Sequence, residues 1–251
     1  MTARIKAMLC LIIVIAVSGC GAPDSSASSA QIPTPIAAKP AQESAASSDN
    51  AEPSAVGDPK EGAFDFYVLS LSWSPTYCLE KGDAAEPAQC AVTRPFDFVV
   101  HGLWPQLESG PAEECAVGGP RPNAALVSSM LDLMPSPGLI RHEWNAHGAC
   151  SGLSPKAYFA AVRKARGVVQ IPDAFTGHDD AQTFSPAEIE AMFVKKNTGL
   201  RSEGIAVTCS GRRLKEVRIC LTKSLSFRTC SEVDRRACRR DEITAPAWRG
   251  G

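Results

Sequence analysis

The pattern of apolar and polar positions changes its period along the chain in a readable order. Residues 64–73, FDFYVLSLSW, are dense in aromatic and β-branched side chains and run up to Pro75, which predicts a strand. Residues 96–100 predict a second strand. Residues 123–134 set Val127, Met130, Leu131 and Met134 at helical spacing ahead of Pro135, so an amphipathic helix is expected there. Ser154 and Pro155 open another, with Tyr158, Ala161, Val162 and Ala165 on one face. Ser185-Pro186-Ala187-Glu188 is a capping box with proline at the first helical position, and Gly199 is expected to close that helix. All three apolar stripes read as core. Later strands are expected at residues 205–208 and 217–221, with 224–229 pairing back as a hairpin. Strands and helices are mixed without sustained βαβ alternation or an internal repeat, so the fold class is α+β.

The first 62 residues follow another pattern. Arg4 and Lys6 precede an apolar run at residues 7–17, AMLCLIIVIAV, which is shorter than the ~20 residues of a spanning helix and suits a signal-peptide core. The run leads into Val17-Ser18-Gly19-Cys20, which resembles the bacterial lipobox, whose cysteine becomes the lipidated first residue of the mature protein. That resemblance implies a lipoprotein signal peptide at 1–19 and a lipid anchor on Cys20; an ordinary cleaved signal beside a coincidental cysteine is the alternative. A diacylglyceryl group and an amide-linked chain together exceed what stable membrane attachment requires. Residues 20–62 are dominated by Ala, Ser and Pro, with Ile32, Ile36 and Val56 as exceptions. Such a stretch buries too little surface to offset chain entropy. It is expected to be a disordered tether, kept fairly extended by its prolines, that holds a domain at 63–251 away from the membrane.

Composition and charge narrow the class. Hydrophobic residues make up 44% of the 251 and charged ones 21%, enough apolar material for a globule and one domain plus tails. The net charge of −1 excludes a protein that coats nucleic acid through bulk positive charge. Charge is uneven, however. Residues 21–62 hold two lysines against six acids, whereas residues 200–251 hold twelve Lys/Arg against six acids. Arg212, Arg213, Lys215, Arg235, Arg236, Arg239 and Arg240 are either a phosphate-attracting face or an ordinary solvated surface. Eight cysteines follow the tether: Cys78, Cys90, Cys115, Cys150, Cys209, Cys220, Cys230 and Cys238. Behind an export signal they predict four disulfides in an oxidising compartment, and the absence of any CxxC pair argues against a zinc cluster. Spacing alone does not choose among their pairings.

Candidate chemistry gathers at the histidines. Of four, His178 lies in the polar segment GHDD and the others fall in two short segments. In HGLWPQ, residues 101–106, an imidazole follows an apolar strand directly and meets an aromatic ring. In HEWNAHGAC, residues 142–150, a helical conformation would put Glu143 and His147 at i and i+4 on one face, where the carboxylate can orient the imidazole or raise its pKa. Gly148 would then stop the helix. A zinc-protease HExxH needs both histidines at i and i+4. His142 and His147 are at i and i+5, about 140° apart around a helix, which disfavours joint chelation. Two imidazoles, a carboxylate and an aromatic platform suit general acid and base work on a phosphodiester.

HGLWPQ and HEWNAHGAC together resemble the two active-site segments of the ribonuclease T2 family. FDFYVLSLSWSPTYC resembles the family's opening strand, SPKAYF its post-motif helix, and the spacing of Cys209, Cys220, Cys230 and Cys238 its late cysteine pattern. The resemblance covers residues 63–238. It implies an α+β domain with a central, mainly antiparallel sheet and flanking helices, acting as a monomer on single-stranded RNA and not on DNA, without metal or other cofactor. The ribose 2'-OH would attack the adjacent phosphorus and leave a 2',3'-cyclic phosphate. Carried over residue by residue, His147 is the general base and His101 the general acid. Glu143 supports the charge of the transition state, His142 binds phosphate, and Trp104 stacks on a base. The family pattern pairs Cys78 with Cys90, Cys115 with Cys150, Cys209 with Cys238, and Cys220 with Cys230.

One departure stands out: the family commonly has Lys just before the last histidine, where this chain has Ala146. Losing a cation that stabilises developing negative charge costs on the order of 10²-fold or more. Arg141, or an arginine of the basic C-terminal segment, is the expected substitute. Two rival classes remain. A T2-fold envelope protein that only binds would share the cysteines and helices, and a zinc hydrolase would have to draw on His178 and Asp179.

Overall fold

The computed structural model describes residues 64–91, 96–109, 119–177 and 180–247. The stretches expected to be a signal peptide and a tether, with Cys20, and also Cys115, His178 and Asp179, lie outside the described residues. Six strands and seven α-helices are described: β1 (Phe66–Trp73), α1 (Ser74–Lys81), α2 (Pro87–Cys90), β2 (Phe98–Gln106), α3 (Ala124–Ser128), α4 (Pro137–Ala146), α5 (Pro155–Val168), β3 (Gln182–Phe184), α6 (Pro186–Lys196), β4 (Ile205–Ser210), β5 (Arg213–Leu221), α7 (Ser231–Asp234) and β6 (Ile243–Ala245). One sheet runs in the order β2-β1-β5-β6-β3, with β4 also paired to β5. Every pairing is antiparallel except a single parallel contact, Arg213 to Thr244, between β5 and β6. The fold is the α+β class expected.

The sheet's two faces divide the labour. Tyr67, Leu69, Leu71 and Trp73 of β1 bury one face against Tyr158 and Val162 of α5 and Ile189 and Phe193 of α6. Side chains of a strand alternate, so Phe66, Val68, Ser70 and Ser72 point to the other face. Across the register from Ser72 and Ser70 stand Glu216 and Arg218 of β5, a polar pair that a core face would not hold. The helices α5 and α6 begin as their sequences predict: Ser154 accepts from the Ala157 N–H, and Ser185 and Glu188 form the reciprocal capping box. The predicted closure of α6 is different. Asn197, not Gly199, ends it, because the buried Asn197 amide donates to the Phe193 carbonyl and to Gln170 of the neighbouring segment.

Two further expectations shift. The helix over 123–134 is shorter, ending at Ser128, and residues to Leu133 continue as turns. The Leu133 carbonyl accepts from the Val100 N–H of β2, while Pro135 and Pro137 offer no N–H to the Leu131 and Leu133 carbonyls with which a longer helix would continue. Residues 224–229 return by one bridge, Leu221 to Phe227, with Leu225 in the left-handed region, and not by a ladder. Three disulfides join Cys78 to Cys90, Cys209 to Cys238 and Cys220 to Cys230, as the family pattern implies. Cys150 is disulfide-bonded as well, and its expected partner Cys115 lies outside the described residues.

Candidate active site

β2 does not stop before His101 but runs through it to Gln106. The pairing with β1 changes register there: Leu71 faces Val100 and Ser70 faces Gly102, leaving His101 as the extra residue of a β-bulge. The bulge reverses the alternation. Phe98 and Val100 share the core face before it, and Leu103 takes that face after it, so Trp104 emerges on the polar side beside Val68. Pro105 and Gly102 look like strand breakers but fit here. β2 is an edge strand, which tolerates proline. A Cβ at Gly102 would overlap Glu143 Oε2 and Trp104 Nε1, so only glycine lets those two atoms meet across the strand.

The second half of the site comes from α4, capped by Ser136 and started by Pro137. Ile140, Glu143 and Trp144 form its buried stripe, with His147 next at the same spacing, so a carboxylate occupies a core position. A buried charge must find partners. Glu143, 1% exposed, accepts a 2.7 Å hydrogen bond from Trp104 Nε1, and its oxygens lie 3.7 Å from His101 Nε2 and 4.0 Å from His147 Nε2. The helix ends at Ala146 with His147 as its cap. Gly148 serves packing and not a left-handed turn: a Cβ there would come within 2.6 Å of Trp144 and 2.8 Å of Tyr158. In turn, the Tyr158 hydroxyl donates to the Leu103 carbonyl, tying α5 to β2.

Two residues that sequence reasoning missed complete the arrangement. Glu216 Oε1 lies 2.7 Å from His101 Nδ1, and Glu216 Oε2 accepts from Arg218 Nη2 at 2.7 Å and Nε at 3.0 Å. The Arg218 guanidinium also lies 5.1 Å from the Trp104 ring. It is a cation that the fold brings to this region, with Lys215 of the same strand near His101 as another. Arg141, on the exposed side of α4, donates instead to the Pro137 carbonyl of its own helix. His142 is also exposed, yet near enough for its charge to act on Glu143 and His147. Of the seven basic residues named above, Arg212, Arg239 and Arg240 line one surface cavity, but Glu188, Asp241 and Glu242 line it with them, so it is not a one-signed phosphate face.

The protonation states diverge. Burial alone would depress His101, but the hydrogen bond and charge of Glu216, joined by the charge of Glu143, outweigh it and raise the imidazole above 6.5. His147 goes the other way, to about 4, through burial and the neighbouring imidazoles His142 and His101. Burial raises Glu143, against the opposing pull of His101 and Trp104. Glu216 falls to about 2 despite its burial, because His101 and Arg218 hold it ionised. The two imidazoles are thus driven apart in proton affinity, His101 upward by its carboxylates and His147 downward by burial. A cavity of ≈ 410 Å³ opens beside His101, lined by Ser72, Tyr77, Leu139 and Lys215 among others. Among the described residues no group of three or more His, Cys, Asp or Glu side chains is arranged to hold a metal ion.

Comparison with known proteins places the fold. The model of the Ribonuclease T2 family matches residues 64–230. A ribonuclease of Aeromonas hydrophila is 34% identical over 174 residues, which are 68% of this chain and 78% of that protein. The solved structure of trichomaglin, an S-like ribonuclease, has the same fold at a TM-score of 0.60 and 20% identity, over 73% of this chain and 98% of that one. RNase NT, solved in complex with 5'-AMP, aligns at a TM-score of 0.52 and 23% identity, over 67% and 91% of the two chains. This chain belongs to the ribonuclease T2 family and is a T2-type endoribonuclease.

Proposed function

We propose that the domain at 63–251 cleaves single-stranded RNA by transphosphorylation, without metal or other cofactor, using His101 and His147. His147, neutral at physiological pH, takes the proton of the ribose 2'-OH as that oxygen attacks phosphorus. The bond from phosphorus to the 5'-oxygen breaks, and that oxygen receives the proton from His101 Nε2, leaving a 2',3'-cyclic phosphate. In hydrolysis of the cyclic product the two imidazoles exchange roles. Glu143 offsets positive charge between them, His142 contacts phosphate at the exposed rim, and Trp104 stacks on a base, a contact worth ~1–3 kcal/mol. DNA lacks the nucleophile and is not cut. The observation that carries this reading is the pair of imidazoles on either side of one buried carboxylate, one favouring and one refusing a proton. The nucleotide complex of RNase NT supports binding of RNA at this fold. The test is digestion of RNA in EDTA by the purified chain and by His101→Ala. Cyclic-phosphate ends from the former and loss of cleavage in the latter are expected, whereas full activity of His101→Ala would overturn the scheme.

The same reading places the enzyme as a monomer in the bacterial cell envelope. Cys20 would carry the lipid anchor after removal of residues 1–19, and residues 20–62 would tether the domain so that it reaches RNA in the surrounding space. Cys20→Ala should block lipoprotein processing. Native protein found wholly soluble, with another N-terminus, would remove the anchor and leave the ribonuclease assignment standing.

A further inference from the structure

Glu216 is sealed beneath the site at 1% exposure, and its two oxygens serve opposite partners. One meets His101 Nδ1 at 2.7 Å and the other is forked by Arg218 at 2.7 and 3.0 Å. β5 makes this possible because Glu216 and Arg218 are two residues apart, on the face that carries Ser72 and Ser70. An ionised carboxylate only accepts, so Nδ1 must be the protonated nitrogen in either charge state of the ring. Nε2 then is the atom whose proton comes and goes, and it faces Glu143.

We propose that Glu216, anchored by Arg218, is a positioning residue for RNA cleavage, fixing the tautomer and orientation of His101 so that Nε2 delivers the proton. The inference rests on His101 being the acid. The charged and titratable groups around His101 are Glu216, Lys215 and Arg218 from β5, Glu143 and His142 from α4 with His147 at its C-cap, and Tyr77, Glu80 and Lys81 of α1 across the cavity. Two carboxylates at close range favour the imidazolium, while Lys215 and the other imidazoles oppose it. Removing the Glu216 charge would leave Glu143 as the one close carboxylate favouring it.

The experiment is the pH dependence of kcat/KM on a short single-stranded RNA for Glu216→Gln, Glu216→Asp and Arg218→Met, with the His101 ring titrated by NMR in each. Glu216→Gln should lose on the order of tenfold to hundredfold at neutral pH, the range usual for a partner that orients an imidazole. Its alkaline limb should move to lower pH while the acid limb, set by His147, stays in place. Arg218→Met leaves the carboxylate without its cation and should move the alkaline limb the opposite way. Glu216→Asp keeps the charge and should hold the limb with a lower kcat. A purely structural Glu216 would weaken every variant equally at all pH, with the His101 titration unmoved, and that result would overturn the inference. If His101→Ala is inactive while Glu216→Gln keeps the wild-type profile, this inference alone fails. If His101→Ala is active, the acid assignment falls and takes this one with it.

Discussion

The strand-borne and helix-borne halves of the site hold imidazoles of nearly equal exposure, 33% for His101 and 34% for His147, whose proton affinities are shifted in opposite directions. Exposure does not decide the difference. On the sheet side, His101 has a private carboxylate at hydrogen-bond distance, itself clamped by a guanidinium. On the helix side, His147 has a share of Glu143 at 4.0 Å and feels two imidazoles. A hydrogen bond to the charged form outweighs burial in one case, and burial goes unopposed in the other. Two imidazoles that share one carboxylate can thus be pushed to opposite proton affinities by partner placement alone.

The comparison breaks most decisively if the halves are removed one at a time. Each of His147→Ala and His101→Ala should lower kcat/KM by on the order of 10²- to 10⁴-fold. The double variant should be little worse than either, because the two act as a unit. Steady-state kinetics on single-stranded RNA check this, and either single variant within tenfold of wild type would contradict it. Glu143→Gln, which touches both halves, should cost roughly 10²-fold, the usual scale for a buried electrostatic group facing the transition state. The pH–rate profile sharpens the contrast without mutation. The rate should fall as pH drops through about 4, where His147 takes a proton, and again above 6.5, where His101 loses one. An acid limb above pH 6 would show that His147 is not depressed. Stability carries its own signature. Glu216 is depressed from 4.5 to about 2, so its contribution is full above 4.5 and is lost as pH falls toward 2, a loss that Glu216→Gln should lessen in acid-unfolding curves. Smallest is a control remote from both halves: Ser185→Ala should cost about 1 kcal/mol in denaturant unfolding through its helix cap and leave kcat/KM unchanged.

The helix-borne half was legible in the sequence because its residues are neighbours: His142, Glu143 and His147 lie within one turn or two, and the spacing itself says what they share. The same holds for α5 and α6, whose capping residues sit three positions from their partners. The strand-borne half was not legible in full. Glu216 lies 115 residues from His101, and no local periodicity reports which residue of β5 will stand beside which of β2. Pro105 and Gly102 concealed the length of β2, since the edge position and the crossing Trp104–Glu143 contact that excuse them exist only in three dimensions. α3 was overdrawn for a related reason: the apolar stripe at Val127, Met130 and Met134 is real and buried, yet backbone groups near its end answer to the sheet.

The single extra residue at His101 gives β2 something like a reading frame. Upstream of it the strand counts core positions on one parity, and downstream on the other. Substitutions on either side stay in frame and are judged one by one. Deleting His101 would restore a regular ladder with Phe98, Val100 and Leu103 all still on the core face, so the extra residue serves the site and not the core. Lineages of this enzyme should therefore keep the extra residue for the imidazole it carries, with Gly102 and Trp104 beside it, while the apolar positions of β2 exchange among themselves.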